Sequence, residues 1–300
     1  MALLLDQIAV FHRPDGAVRV SGPDRLPYLH LMLSQHLEGA EVGTVADFLH
    51  LDPKGNALAA GRAVVQAAHV ILITPVQVAA DLAAALEKFK FLMQVTAEDC
   101  SGQWALASVR GPGRWPKDAL APQQPMRAAE GGDGVMIRDR DGGVDVLGPP
   151  GWVAGQVADL PEASPQEWEA YRISAGVPGW GSEIAPGRRA QELGLLPTHV
   201  HLKKGCYPGQ ESIAKIYNLG RPRRALAVIE TSHPIFPGDP VTAGAKTGEV
   251  TSVARLDSVW VALALLPLDR NGEIAGALNV GGVPARLRRR VAQDLPQPGA

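Results

Sequence analysis

Eight consecutive residues, Lys204-Gly205-Cys206-Tyr207-Pro208-Gly209-Gln210-Glu211, bring a thiol, an amine, an aromatic ring, an amide and a carboxylate into one short stretch. Lys203 and Lys204 beside Cys206 favour thiolate, because a neighbouring cation lowers a thiol pKa from its usual value of about 8.5. Cys206 is therefore a candidate nucleophile, and Lys204 its assisting amine. Tyr207 offers a flat face and a hydroxyl to a heteroaromatic ring. Gln210 and Glu211 supply acceptors and donors for the edge of such a ring. A carboxylate opposite a 2-amino-pyrimidinone edge accepts two parallel hydrogen bonds, which is both specific and strong. Residue types alone leave plainer readings open. A lone cysteine is commonly a small buried hydrophobe, Gly205 and Gly209 can be turn punctuation, and Glu211 can cap a helix starting near Ser212.

The elements around the stretch decide how it is presented. Apolar and polar residues alternate from His199 into Lys204, as in a strand, and Pro208-Gly209 then forces a turn. Cys206 and Tyr207 are thus expected on a tight loop. His199 and His201 share one face of that strand; paired histidines can bind a metal, but no third ligand stands near them, so an ordinary strand face is preferred and no metal is expected. Upstream, Asp15-Gly16 between Ile8–Phe11 and Val18–Val20 reads as a hairpin turn. Asp24 can cap a helix carrying Leu26, Leu29, Leu33 and Leu37. Phe48–Leu51 and the run from Ala57 are separated by the turn Pro53-Lys54-Gly55-Asn56, and Asp52-Pro53-Lys54-Gly55 reads as an ordinary turn. Val70–Ile73 reads as a buried strand, followed by Thr74-Pro75 as helix cap and first turn, and by Val78, Leu82, Leu86 and Phe89 on one apolar face. Residues 111–134 read as an irregular Pro/Gly-rich surface insertion. Asp139–Gly143 joins two short strands. Ser164-Pro165-Gln166-Glu167 is a capping-box helix start, and Gly176 the matching C-cap. From Arg224 onward, short β-rich runs divided by turns predict a small separate barrel or sandwich. The order predicts an α+β fold of antiparallel sheets with helices on their faces.

At 300 residues the chain is long enough for two or three domains. With a formal net charge of −2, it lacks the field of a nucleic-acid-binding protein, and nucleic acid is not an expected partner. The one basic cluster, Arg286 with Arg288-Arg289-Arg290, is read as a solvated terminus. Two cysteines, Cys100 and Cys206, are too few for a disulfide framework and point to a reducing compartment. Met1–Asp6 fails as a signal peptide, and Val259–Leu266 is too short to span a bilayer. A cytoplasmic location without membrane association is the expectation. There is no Gly-x-Gly-x-x-Gly fingerprint and no phosphate loop.

Lys204–Glu211 resembles the signature Lys-Gly-Cys-Tyr-x-Gly-Gln-Glu of the YgfZ proteins, folate-binding relatives of the glycine-cleavage T-protein. Arg172-Ile173-Ser174-Ala175-Gly176-Val177-Pro178 is similar to that family's Arg-Ile-x-x-Gly-x-Pro helix end, Asn218-Leu219-Gly220-Arg221-Pro222 continues the motif, and Gly248-Glu249-Val250-Thr251-Ser252 resembles its Gly-x-Val-Thr-Ser strand. The resemblance is sharp from Tyr171 to Ser252 and architectural before that. It implies a T-protein-like fold of antiparallel α+β lobes around a central channel over residues 1–222, a C-terminal β-barrel over 223–290 and a flexible tail at 291–300. It also implies tetrahydrofolate, or a one-carbon derivative, held by Tyr207, Gln210, Glu211 and Lys215, with iron–sulfur client or assembly proteins as partners. Lys215 stands where the family more often has arginine, which weakens any bidentate contact there. The implied role is an accessory one in maturing or repairing iron–sulfur enzymes. A folate-dependent aminomethyl or one-carbon transferase is the alternative, and a protein-interaction module with a vestigial pocket the third reading.

Overall fold

The computed structural model describes residues 6–219, 222–274 and 276–291. In chain order the elements are β1 (Ala9–Arg13), β2 (Asp15–Ser21), α1 (Arg25–Met32), β3 (Val45–Leu51), β4 (Ala57–Val65), β5 (His69–Pro75), α2 (Val76–Lys88), β6 (Thr96–Asp99) and β7 (Ala105–Arg110). There follow β8 (Arg127–Gly131), β9 (Gly134–Arg138), β10 (Val144–Gly148), α3 (Pro150–Val157), α4 (Pro165–Ala175), α5 (Leu196–His199) and α6 (Gln210–Leu219). The last six strands are β11 (Arg224–Thr231), β12 (Pro240–Ala243), β13 (Lys246–Leu256), β14 (Val259–Pro267), β15 (Leu278–Val280) and β16 (Val283–Arg290).

Two five-stranded antiparallel sheets, ordered β3-β4-β5-β2-β6 and β1-β7-β10-β9-β8, pack face to face. Strand alternation makes this possible. Ala17 and Ile71 point to the inter-sheet layer with Val135 and Leu147, while Val18, Val20 and Leu72 point outward under α1 and α2. The far face of the second sheet is covered by α3 and by Trp115. Strands β11–β16 close into a barrel in the order β11-β14-β13-β12-β15-β16. A further core unites the barrel residues Leu226, Val228, Leu263 and Leu265 with Leu49 and Leu51 of β3, Ile173 of α4, and Tyr207 and Ile213. The motif loop therefore lies where barrel, sheet and helix α4 meet.

Several local expectations change. Asp15-Gly16 is no hairpin turn: β1 pairs with β7 and β2 with β5 and β6, in different sheets. Gly16 is small for another reason, since a Cβ there would lie 2.7 Å from Ala79 Cβ and from Ser101 Oγ. Helix α1 stops at Met32, and Leu33 is already extended (φ −110°, ψ 156°). Leu33 and Leu37 are buried all the same. Asp24 makes no side-chain cap bond and instead accepts from the Gln94 amide. Thr74 does not cap α2; its hydroxyl donates to the Ala60 carbonyl across the sheet. Residues 111–134 are more ordered than an irregular insertion, burying Trp115 and ending in β8, paired with β9. Arg286–Arg290 is solvated as expected, with Arg286, Arg288 and Arg289 exposed, but it is no free terminus: it forms barrel strand β16, with Arg288 on Glu230 at 2.5 Å. The readings of Met1–Leu5, of Gly220-Arg221 and of the tail beyond residue 291 fall outside the described residues.

Candidate functional site

The segment leading into the motif is a helical turn, α5, followed by a link with no strand pairing, and not the expected strand. It is stitched to residues far upstream. Ser34 Oγ donates to the His199 carbonyl at 2.6 Å and accepts from the Leu49 amide at 2.8 Å, while the His201 amide donates to the Ser34 carbonyl at 2.9 Å. His199 and His201 accordingly have different surroundings. His199 lies near Asp47, with its Nδ1 2.7 Å from the Thr198 hydroxyl, and burial pushes its pKa down to about 4. His201 is exposed and meets His36.

Lys204 is turned inward. Its ammonium donates to the carbonyls of His30, of Leu33 at 2.5 Å and of Gln35 at 3.3 Å, and lies 4.8 Å from the centre of the Tyr207 ring. The early end of α1 creates this nest, because the last helical carbonyls lack intrahelical donors. Burial lowers the Lys204 pKa to about 8. The amine expected beside the thiol is thereby committed elsewhere, leaving the exposed Lys203 as the loop's solvent-facing cation.

Tyr207 is buried, and burial pushes its hydroxyl pKa up to about 12. Its ring anchors the loop in the shared core, so it is not free to stack on a ligand. Gly209 adopts φ 78°, and a Cβ there would stand 2.6 Å from the Asp52 carbonyl oxygen. The turn at Asp52–Gly55, read from sequence as punctuation, is thus the surface on which the motif sits. Ser212 Oγ donates to the Lys54 carbonyl at 2.8 Å, and Arg189 donates to the same carbonyl at 2.9 Å. Gln210 opens α6, with its amide nitrogen 3.5 Å from the Lys204 carbonyl. Glu211, in the first turn of α6, and Lys215, one turn on, are exposed. Between the buried Lys204 and Tyr207 stands Cys206, exposed; Cys100, in contrast, is buried, with its thiol on the Ala17 carbonyl at 3.3 Å.

The flanking motifs have a structural basis. Arg172 of α4 donates to Glu183 at 3.0 Å and to the Ser252 hydroxyl at 2.9 Å, and Ser252 donates to Glu183 at 2.6 Å. The two motifs that bracket the loop in sequence are thus one buried network tying α4 to the barrel. The capping box is present too: the Ser164 amide donates to Glu167, the Glu167 amide donates to Ser164 Oγ, and Gly176 is left-handed at φ 66°. A second network was invisible in the sequence. Arg62 binds Asp47, Asp139 and Asp145, each at 2.9 Å, and Arg110 binds Asp139, Asp141 and Asp145. Its members come from five stretches of chain, and no local pattern joins them. A cavity of about 970 Å³ opens beside this network, walled by Arg110, Trp115, Arg138, Asp141 and Tyr171, and no residue of the motif lines it. Among the described residues, no three His, Cys, Asp or Glu side chains converge on a metal position.

The fold is that of the glycine-cleavage T-proteins. The chain superposes on the glycine cleavage system aminomethyltransferase T of Bartonella henselae with a TM-score of 0.79, over 95% of this chain and 86% of that one, at 17% identity. No protein-family model matches the sequence. Among curated proteins, it is 28% identical over 258 residues to a putative chloroplastic transferase of Arabidopsis thaliana, covering 79% of this chain and 59% of that protein. It is 32% identical over 133 residues to the mitochondrial iron–sulfur cluster assembly factor IBA57 of mouse, covering 42% and 35% of the two chains. It is 32% identical over 139 residues to the tRNA-modifying protein YgfZ of Sodalis glossinidius, covering 40% and 42%. In each case the match spans less than two thirds of the relative's length. Relatives named YgfZ and IBA57, together with the shared fold, support an assignment to the YgfZ/IBA57 family.

Proposed function

We propose that the chain binds tetrahydrofolate, or a one-carbon derivative of it, and serves iron–sulfur client or assembly proteins in the maturation or repair of their clusters, with Cys206 as its reacting group. The observation that carries this reading is the exposure of Cys206 between the buried anchors Lys204 and Tyr207, so that a fixed frame presents a single thiol to solvent. Support comes also from the aminomethyltransferase fold and from the relatives named as iron–sulfur cluster assembly factors.

The residues fit a folate in part. Glu211 and Lys215 are exposed, and Gln210 is half-buried, so these three offer a carboxylate, a cation and an amide to the edge of a ring. Tyr207 contributes by holding the loop and not by stacking. When bound, the folate supplies a carrier for a one-carbon unit. Glu211 would accept from the amino edge of a bound pterin, Gln210 would fix its register, and Lys215 would act as a point charge toward an anionic group. Cys206 is a single thiol, and a cluster held there takes its remaining ligands from a partner. An exposed thiol of this kind persists in a reducing compartment, in keeping with a cytoplasmic location. The test is Cys206→Ser in cells deficient in iron–sulfur enzyme maturation. Folding is retained and rescue is lost if the thiol reacts; full rescue by the serine variant removes it from the mechanism.

A further inference from the structure

The histidines near the motif assemble in a way their sequence positions do not suggest. His36, from the link after α1, lies with its ring centre 5.1 Å from that of His201 and 4.7 Å from that of His30. Two imidazoles bound tetrahedrally to one metal, with metal–nitrogen bonds of about 2.0–2.1 Å, place their ring centres roughly 5 Å apart. The His36–His201 pair has that spacing. Both rings are exposed, on backbone that is held in place: the His36 amide donates to Gln35 Oε1 at 3.1 Å and the His201 amide to the Ser34 carbonyl. Among the described residues, no other residue hydrogen-bonds either ring.

His30 is different. It is buried, and its Nδ1 accepts from the Glu38 amide at 3.4 Å, which puts the proton of the neutral ring on Nε2. It supports His36 from behind and is not a ligand.

We propose that His36 and His201 form an open, two-imidazole site for a divalent borderline metal of the zinc, iron or copper class, with its other positions left to water or to a side chain of a docked protein. Imidazole suits these metals and not magnesium or calcium. The charged and titratable groups around the pair are His30, Glu38, Lys203 and Lys204. The same lysines repel a cation, and only two ligands come from this chain, so the site loads and releases metal readily. This inference does not rest on the folate reading.

The test is zinc titration by calorimetry at pH 7.5 in a Cys206→Ser background, which removes the thiol as a competing ligand. One zinc per chain is expected, weakened at least tenfold by His36→Gln and by His201→Gln, and changed less than twofold by His30→Gln. Lowering the pH to 5.5 weakens it further. Absence of stoichiometric zinc binding in this background, or an affinity unmoved by both glutamine variants, overturns the proposal. Should a variant lose the wild-type melting transition, diethyl pyrocarbonate modification of the wild-type chain replaces it. Zinc then protects His36 and His201, and equal modification with and without zinc overturns the site. Tetrahydrofolate binding is measured separately, so its failure is distinguishable from failure of the metal site.

Discussion

The ammonium of Lys204 donates to the carbonyl of Leu33 at 2.5 Å, across a separation of 171 residues. That contact fixes the motif loop to the end of α1 and turns the lysine away from the thiol two residues on. It makes Lys204 a positioning residue whose effect on chemistry runs through the loop's geometry.

Replacing it tests this. Lys204→Met keeps the volume and leaves three carbonyls without their donor, at a cost of about 2–4 kcal/mol in denaturant unfolding. There is also a pH signature. The folded ammonium titrates near pH 8, the unfolded one near about 10.4. Between those values the unfolded chain binds the extra proton, so the contribution of this site to stability rises as pH rises from 8 toward 10.4. The stability difference between wild type and Lys204→Met therefore grows across that window. A difference that stays constant or shrinks contradicts the burial of this amine.

The Arg172–Glu183–Ser252 network predicts a graded pair of losses. Glu183→Ala removes the buried carboxylate that Arg172 and Ser252 share, but Arg172 keeps its pair with Glu169, so the cost is about 1.5–3 kcal/mol. Ser252→Ala removes one hydroxyl bridging the same two groups and costs about 1–2 kcal/mol. Their effects are coupled, so the double variant falls short of the sum. Thermal or urea unfolding of the four chains measures this.

Much of this was readable beforehand, and the reasons differ by residue. Ser164, Glu167 and Gly176 act within a few positions of themselves, so the capping box and left-handed helix end of α4 were plain in the sequence. Barrel strands β11–β14 were equally plain, because turns divide their apolar runs, whereas the arginine-rich β16 was not. The length of α1 was not. Leu33 and Leu37 keep the helical spacing, yet the backbone turns extended at Leu33, where Ser34 pairs with Leu49. The tertiary pairing outweighs the local pattern. The Asp52–Gly55 turn looked like punctuation because its role depends on Gly209, which packs onto it from more than 150 positions away. The carboxylates around Arg62 and Arg110 were hidden for the same reason.

Thiol chemistry separates the two cysteines. Cys100 is buried, and burial raises its pKa; Cys206 is exposed. In native buffer at neutral pH, iodoacetamide labels Cys206 while Cys100 reacts only after unfolding, as intact-mass and peptide mapping will show. Equal rates in the folded protein would contradict the arrangement of both residues.

The most direct measurement is anaerobic calorimetry of tetrahydrofolate with the wild type and Glu211→Ala. Glu211 is exposed in the first turn of α6, and its replacement should leave folding intact. The account predicts binding by the wild type and a loss of about 1.5–3 kcal/mol in the variant, the value of a hydrogen bond to a charged group. Equal affinity in both would move the pterin away from this loop. No heat and no thermal shift with either protein would contradict folate binding itself.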